Sequence, residues 1–184
     1  MDLETERLIL RPWNEDDAEA CFELAKDPRV GPICGWAPHT SVEESRHIIR
    51  VALAVPETYA IVLKETGKLV GDISLMKEGR SDLAKGDNEF ELGYWLGVPY
   101  WGRGIMTEAA RAMIAHAFLD LGAEKVWCGY YDGNERSKRV QQKCGLRYQW
   151  TTQDVDVPQM NEKRVGHVNC ITKEEWEADG NGVE

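Results

Sequence analysis

Two stretches of this chain combine residue types and spacings that suit chemistry. The first is Glu91-Leu-Gly-Tyr-Trp-Leu-Gly-Val-Pro-Tyr-Trp-Gly-Arg-Gly-Ile-Met-Thr-Glu108. It reads as a strand, a tight glycine loop and a helix. Glu91 to Leu96 is aromatic-rich and strand-like. Pro99 lacks a backbone donor, and Gly102 and Gly104 loosen the chain, so the strand cannot continue. A glycine loop that feeds a helix start gathers several unpaired N–H groups around one point. The helix dipole adds partial positive charge there, which favours an anion, typically a phosphate. The second stretch begins at Asn134, a good N-cap, and runs through a short helix, Glu135 to Lys143, that ends at Cys144-Gly145.

The phosphate loop is not of two familiar types. A Walker A loop needs Gly-x4-Gly-Lys-Ser/Thr, which the chain lacks. Gly102-Arg-Gly104-Ile-Met-Thr107 fails the third position of a dinucleotide fingerprint. The remaining reading depends on context: strand, loop, helix, then another strand and the Asn-capped helix.

The elements that must position these stretches follow from periodicity. Leu3 to Pro12 reads as a first strand. Asn14 caps a helix that runs to about Lys26. Gly31 to Thr40 reads as a loop carrying Trp36, placed to cover a substrate or to seal the core. Ser41-Val-Glu-Glu44 opens a second helix as a capping box. Tyr59 to Leu63 and Leu69 to Leu75 form a hairpin around Glu65-Thr-Gly67. Lys77 to Asp87 is polar loop. In the helix from Met106 to Leu121, Ala109, Ala110, Met113, Ala117 and Leu121 make an apolar face for a sheet. Lys125 to Tyr131, Leu146 to Thr152 and Val165 to Ile171 read as further strands, with a last helical turn at Thr172 to Trp176. The order implies a single α/β (α+β) domain over 1–184. Its central sheet is mixed, twisted and mostly antiparallel, with six to seven strands, about four helices and one parallel crossover through the long helix. The tail after about residue 177 is expected to fray.

Length, 184 residues, allows a substantial core, and 42% hydrophobic content is ordinary for a globular domain. No apolar run is long enough to span a bilayer. The acidic N-terminus does not resemble a signal peptide. Five dispersed cysteines without a CxxC pair suggest a reducing cytoplasm and no metal site. The net charge of −10 argues against nucleic acid as a partner.

With both motifs in hand, the chain resembles the GCN5-related N-acetyltransferases (GNAT), in their RimJ/RimL-like branch. Thr5-Glu-Arg-Leu-Ile-Leu-Arg-Pro12 is similar to that branch's first strand. Gly93-Tyr-Trp-Leu with Tyr100-Trp-Gly-Arg-Gly-Ile-Met-Thr-Glu-Ala109 resembles the acyl-CoA signature, and Asn134 to Leu146 the second CoA motif. The resemblance implies acetyl-CoA as co-substrate and an amine acceptor, in this branch a protein or peptide N-terminus; a homodimer is the branch's expected assembly. It implies that the backbone of Arg103, Gly104, Ile105, Met106 and Thr107 holds the pyrophosphate. It also implies that Leu96 and Val98 pair with the pantetheine arm, and that Asn134 holds that arm from the other side. The family's loop pattern starts with Gln or Arg and ends with Gly or Ala; Trp101 and Met106 stand there. The common catalytic tyrosine seven residues after the asparagine is replaced by Gln141. The branch's serine three residues after it is present as Ser137, the expected acid or hydrogen-bond donor to the CoA sulfur. Ser137 is also simply the N3 residue of the helix capped by Asn134.

Transfer from a thioester to an amine needs modest help. An amine with pKa ~10 must lose a proton before attack. The oxyanion needs a donor, which a backbone N–H can supply. Juxtaposition alone contributes several kcal/mol. Glu91, on the strand leading to the loop, is the expected base; Glu89, Asp154 and Asp156 are alternatives. Tyr94 and Trp36 are expected to wall the acceptor pocket. Arg103, Lys138 and Arg139 flank the phosphates. His116 is expected to be packed or exposed rather than catalytic, and Cys128 and Cys144 to be core. Two other readings compete: acetylation of a small amine (a polyamine, amino acid or aminoglycoside), and a CoA-binding module without turnover.

Overall fold

A computed structural model describes residues 2–181. Its centre is a mixed sheet in the order β1-β2-β3-β4-β5-β6-β8-β7. The strands are β1 (Leu3–Glu4), β2 (Leu8–Pro12), β3 (Thr58–Leu63), β4 (Leu69–Met76), β5 (Glu89–Leu96), β6 (Lys125–Tyr131), β7 (Arg147–Val157) and β8 (Glu162–Thr172). Every neighbouring pair is antiparallel except β5 with β6. The α-helices are α1 (Ala18–Ala25), α2 (Gly31–Cys34), α3 (Val42–Ile48), α4 (Ile105–Leu119), α5 (Glu135–Lys143) and α6 (Lys173–Trp176).

Eight strands replace the expected six to seven because the first strand folds back on itself. Thr5 N–H donates to Leu8 O (3.0 Å), and Thr5 Oγ1 accepts from Leu8 N–H (3.0 Å). Leu3 therefore lies opposite Leu10. Six helices replace about four partly because α2 forms inside the expected Gly31–Thr40 loop. Pro32 presets its first turn, and Gly35 ends it at φ 95°, a left-handed conformation suited to glycine. Past Trp176 the chain continues as a wide helical turn, Glu177–Asn181, kinked at Gly180, where a frayed tail was expected; the rest of that tail lies outside the described residues.

Two apolar layers sandwich the sheet. On one face Leu8, Leu10, Ile61, Ile73, Phe90 and Leu92 pack against Met113, Ile114, Ala117 and Phe118 of α4. Each of these side chains larger than alanine contributes roughly 1.5–3 kcal/mol by burial. On the other face Ala60, Leu69 and Trp95 pack against Trp13 and against Ala18, Cys21 and Ala25 of α1. His116 is buried on α4; its Nε2 lies 2.9 Å from Glu57 Oε2 and its Nδ1 2.7 Å from Asp120 Oδ2. Cys128 and Cys144 are buried free thiols, and burial pushes the Cys144 thiol up to about 11.

The α1 face also holds one buried acid. Asp72 Oδ1 accepts the indole N–H of Trp13 at 2.7 Å. Burial pushes the Asp72 carboxyl up to about 7, against the opposing pull of Trp13 and Arg80. The folded state therefore keeps a proton that the unfolded chain releases near pH ~4. Stability from this group is complete below that pH and is lost as pH rises to about 7. Asp72→Asn keeps an acceptor for Trp13 and carries no charge. Urea melts of this variant should show higher stability than wild type at pH 8 and a flatter profile between pH ~4 and ~7.

Candidate active site

The parallel pair that joins the two halves of the sheet is short. β5 pairs with β6 only at Glu89↔Lys125, Phe90↔Val126 and Glu91↔Trp127. Beyond Glu91, β5 stays on β4 up to Leu96↔Gly71, while β6 stays on β8 up to Tyr131↔Gly166. The strands part, and a cleft of about 320 Å³ runs through the opening. Such a volume lies in the range of small-molecule sites. Tyr94, Leu96, Asn134 and Ser137 line its middle. Gly102, Gly104, Ile105, Met106, Thr107, Arg139 and Lys143 line it beside the start of α4 and on α5, Val30, Ile33, Cys34 and Trp95 line it beside α2, and Trp101 joins the two groups.

The glycine end is an anion cradle. Gly102 (φ 72°) and Gly104 (φ 75°) take left-handed conformations that turn the chain sharply into α4. No side chain caps α4, so its first N–H groups remain available to a ligand. The loop is braced from the N-terminal hairpin. Glu108 accepts from Thr5 Oγ1 (2.5 Å), Arg7 N–H (2.8 Å) and Arg7 Nε (2.6 Å), and Arg7 Nη1 donates to Arg103 O (3.0 Å). Arg103 itself is outside the cleft lining; its guanidinium lies 6.0 Å from the Tyr100 ring.

Alternation sets what the open edge of β5 offers. Gly97 N–H donates to Val70 O (2.9 Å), toward β4. The backbone groups of Leu96 and Tyr94 therefore face the opening. The indole N–H of Trp101 donates to Leu96 O (2.7 Å), and its ring carries the Arg136 guanidinium at 3.7 Å from the centroid. Trp101 thus caps one free carbonyl and joins the loop to α5 across the cleft. Val98, expected as a second rail, lies past the strand in a 3-10 turn whose carbonyl is taken by Trp101 N–H, and it is outside the lining.

Ser137 sits at the head of a buried polar chain. Asn134 Oδ1 accepts from Ser137 N–H (3.2 Å). Ser137 Oγ accepts from Gln141 Nε2 (3.1 Å) and lies 2.9 Å from the Tyr94 hydroxyl. Gln141 also donates to Gly129 O (3.2 Å), and its Oε1 accepts from Asn169 Nδ2 (2.7 Å). Burial raises the Tyr94 phenol well above its ordinary value, so it stays protonated. Sequence reasoning placed Tyr94 in the acceptor wall and missed its contact with Ser137, which crosses from β5 to α5. The Ser137–Gln141 contact was readable, because positions four apart share a helix face.

Glu91 is not brought into the cleft. Its Oε2 accepts from Ser81 Oγ (2.7 Å), whose oxygen also takes the N–H groups of Leu83 and Ala84. Burial raises the Glu91 carboxyl, but it faces the 81–84 turn and does not line the opening. Glu89 is engaged by Lys125 and Trp127, and Asp156 pairs with Lys163. Trp36 is half-buried beside Trp95 (centroids 5.8 Å) and also lies outside the lining.

A sheet opened between two parallel strands, with an anion cradle at one end and paired hydroxyls midway, defines an acyltransferase that uses a CoA thioester. The comparisons agree. The Acetyltransferase (GNAT) domain pattern matches residues 7–147, and the chain belongs to this family, whose co-substrate is acetyl-CoA. The uncharacterized N-acetyltransferase YoaA of Bacillus subtilis is 28% identical over 150 residues, covering 79% of this chain and 82% of the relative. YdaF of the same species, provisionally named a ribosomal N-acetyltransferase, is 32% identical over 61% of this chain and 58% of its own. A GNAT-family acetyltransferase from Bacillus anthracis superposes with TM-score 0.84 at 24% identity, over 95% of this chain and 99% of that one.

The cradle is tested by Gly104→Val. A β-branched residue at φ 75° costs at least ~1–2 kcal/mol and crowds the bound phosphate. Calorimetric titration should show CoA affinity falling at least tenfold; wild-type affinity would remove the loop from the binding site.

Proposed function

We propose that the chain acetylates the α-amine of a protein or peptide N-terminus, as the RimJ/RimL-like branch does. The Tyr94–Ser137 hydroxyl pair at the opening of the sheet carries the mechanism; the acceptor class is supported by the motif resemblance and by the name of YdaF. In this reading Arg103, Gly104, Ile105, Met106 and Thr107 hold the pyrophosphate through their N–H groups, and Asn134 and Leu96 border the pantetheine arm. The incoming amine nitrogen attacks the thioester carbon. A backbone N–H of the open β5 edge donates to the oxyanion. The C–N bond forms, the C–S bond breaks, and the thiolate takes the Ser137 proton. Tyr94, 2.9 Å away, passes its own proton to Ser137 in the same motion and regains one from the water that took the amine proton, so the phenol ends the turnover protonated. Gln141 occupies one lone pair of Ser137 and thereby turns the hydroxyl hydrogen toward Tyr94 or the cleft. The amine gives its proton to water, since Glu91 faces Ser81. The same reading has the chain act as one catalytic domain, in the cytoplasm, as a homodimer.

Thiol release from acetyl-CoA with peptide acceptors tests the mechanism. Ser137→Ala should lower kcat by about 10²-fold with acetyl-CoA affinity unchanged. Tyr94→Phe should lower it less, and Glu91→Gln should stay within about threefold. An unchanged rate in Ser137→Ala would remove this residue from the reaction. CoA binding without thiol release on any amine would leave a binding module instead.

A further inference from the structure

The acceptor end of the cleft differs from the phosphate end in what lines it. Val30, Ile33, Cys34, Trp95 and Trp101 face the opening, and among the described residues no aspartate or glutamate does. The Trp95 wall is stiff, backed by Trp13 and Trp36 at centroid distances of 6.4 and 5.8 Å. Burial pushes the Cys34 thiol up to about 11, while Arg164 and Arg136 pull it the other way; of the two, Arg136 lines the cleft. Arg136 stacks on Trp101, while Arg164 Nη1 donates to Pro32 O (2.6 Å) and its guanidinium is paired with Glu162. The carboxyls of the neighbouring strands are turned to other partners, Glu91 to Ser81 and Asp72 to Trp13.

We propose that the acceptor of this transferase is a primary amine borne on an uncharged, apolar skeleton, which Ile33, Cys34 and Trp95 select, and not a polyamine or aminoglycoside. The inference rests on the transferase reading above. Apolar walls favour an aryl or branched alkyl group beside the amine. The Arg136 guanidinium in the lining repels a second ammonium. It also disfavours the protonated form of the reacting amine, which helps it lose its proton without a dedicated carboxylate. An N-terminal residue with an apolar side chain and a free arylalkylamine share this chemistry.

The test measures thiol release by the purified full chain with acetyl-CoA. The acceptors are phenethylamine, peptides beginning with Phe or Leu, spermidine and kanamycin. The expected result is kcat/KM for the apolar amines at least 100-fold above the polycations; the ratio of peptide to phenethylamine identifies the source. Cys34→Asp should cut that preference at least tenfold by lowering KM for spermidine. Ile33→Ala, at a half-exposed position, should raise KM for phenethylamine about tenfold and leave spermidine unchanged. Spermidine or kanamycin as the better acceptor, or a preference unmoved in both variants, overturns the proposal. So does faster reaction with butyryl-CoA and no discrimination among amines, which would give the pocket to the acyl chain. Release with none of the amines, despite CoA binding, would sink the transferase reading itself and this inference with it.

Discussion

The parting of β5 from β6 is the constraint on which the site depends. A parallel pair satisfies its backbone groups only while the strands stay in register. Here it lasts three residues, and each strand is then held by its other neighbour alone. That division leaves the N–H and C=O groups of Tyr94 and Leu96 without a strand partner. An unpaired buried backbone group costs about as much as a lost hydrogen bond. One is met within the chain, the Leu96 carbonyl by the Trp101 indole. The long helix α4, packed across the first apolar layer, holds both halves of the sheet in place around the opening.

Charge is distributed against the average of the molecule. The chain carries −10 overall, yet the cleft is lined by Arg136, Arg139 and Lys143. Acidic surface elsewhere and basic lining within produce a field that focuses anions on one entrance. The lining then changes character along the cleft. The glycine end is rich in backbone donors; the Trp95 end is apolar. A thioester bridges such surroundings naturally, since it has a highly charged tail and a small neutral head.

The sequence made local structure and motif order legible. The strand–loop–helix around Gly104 and the Asn134 cap are set by residues within a few positions of each other, so spacing alone reveals them. The sheet's opening was implied only through family resemblance. What depends on contacts between distant residues was not readable. Glu91 has the right strand and the wrong partner, because the 81–84 turn returns to claim it. Tyr94 looks like one more wall aromatic until α5 brings Ser137 beside it. Trp101 breaks the family's loop pattern, and its indole is explained only by a carbonyl five residues earlier. The first strand is split by Thr5, whose small side chain gave no warning of a turn.

That turn has a consequence for how the protein is made. Thr5 and its partner Glu108 are separated by 103 positions, and Arg7 reaches the Arg103 carbonyl across 96. A ribosome releases the hairpin first, long before the helix that it braces. Until α4 has emerged, Arg7 and Thr5 have no carboxylate to hold, and the glycine loop has no strut. The brace on the glycine loop therefore closes only after synthesis has passed the middle of the chain.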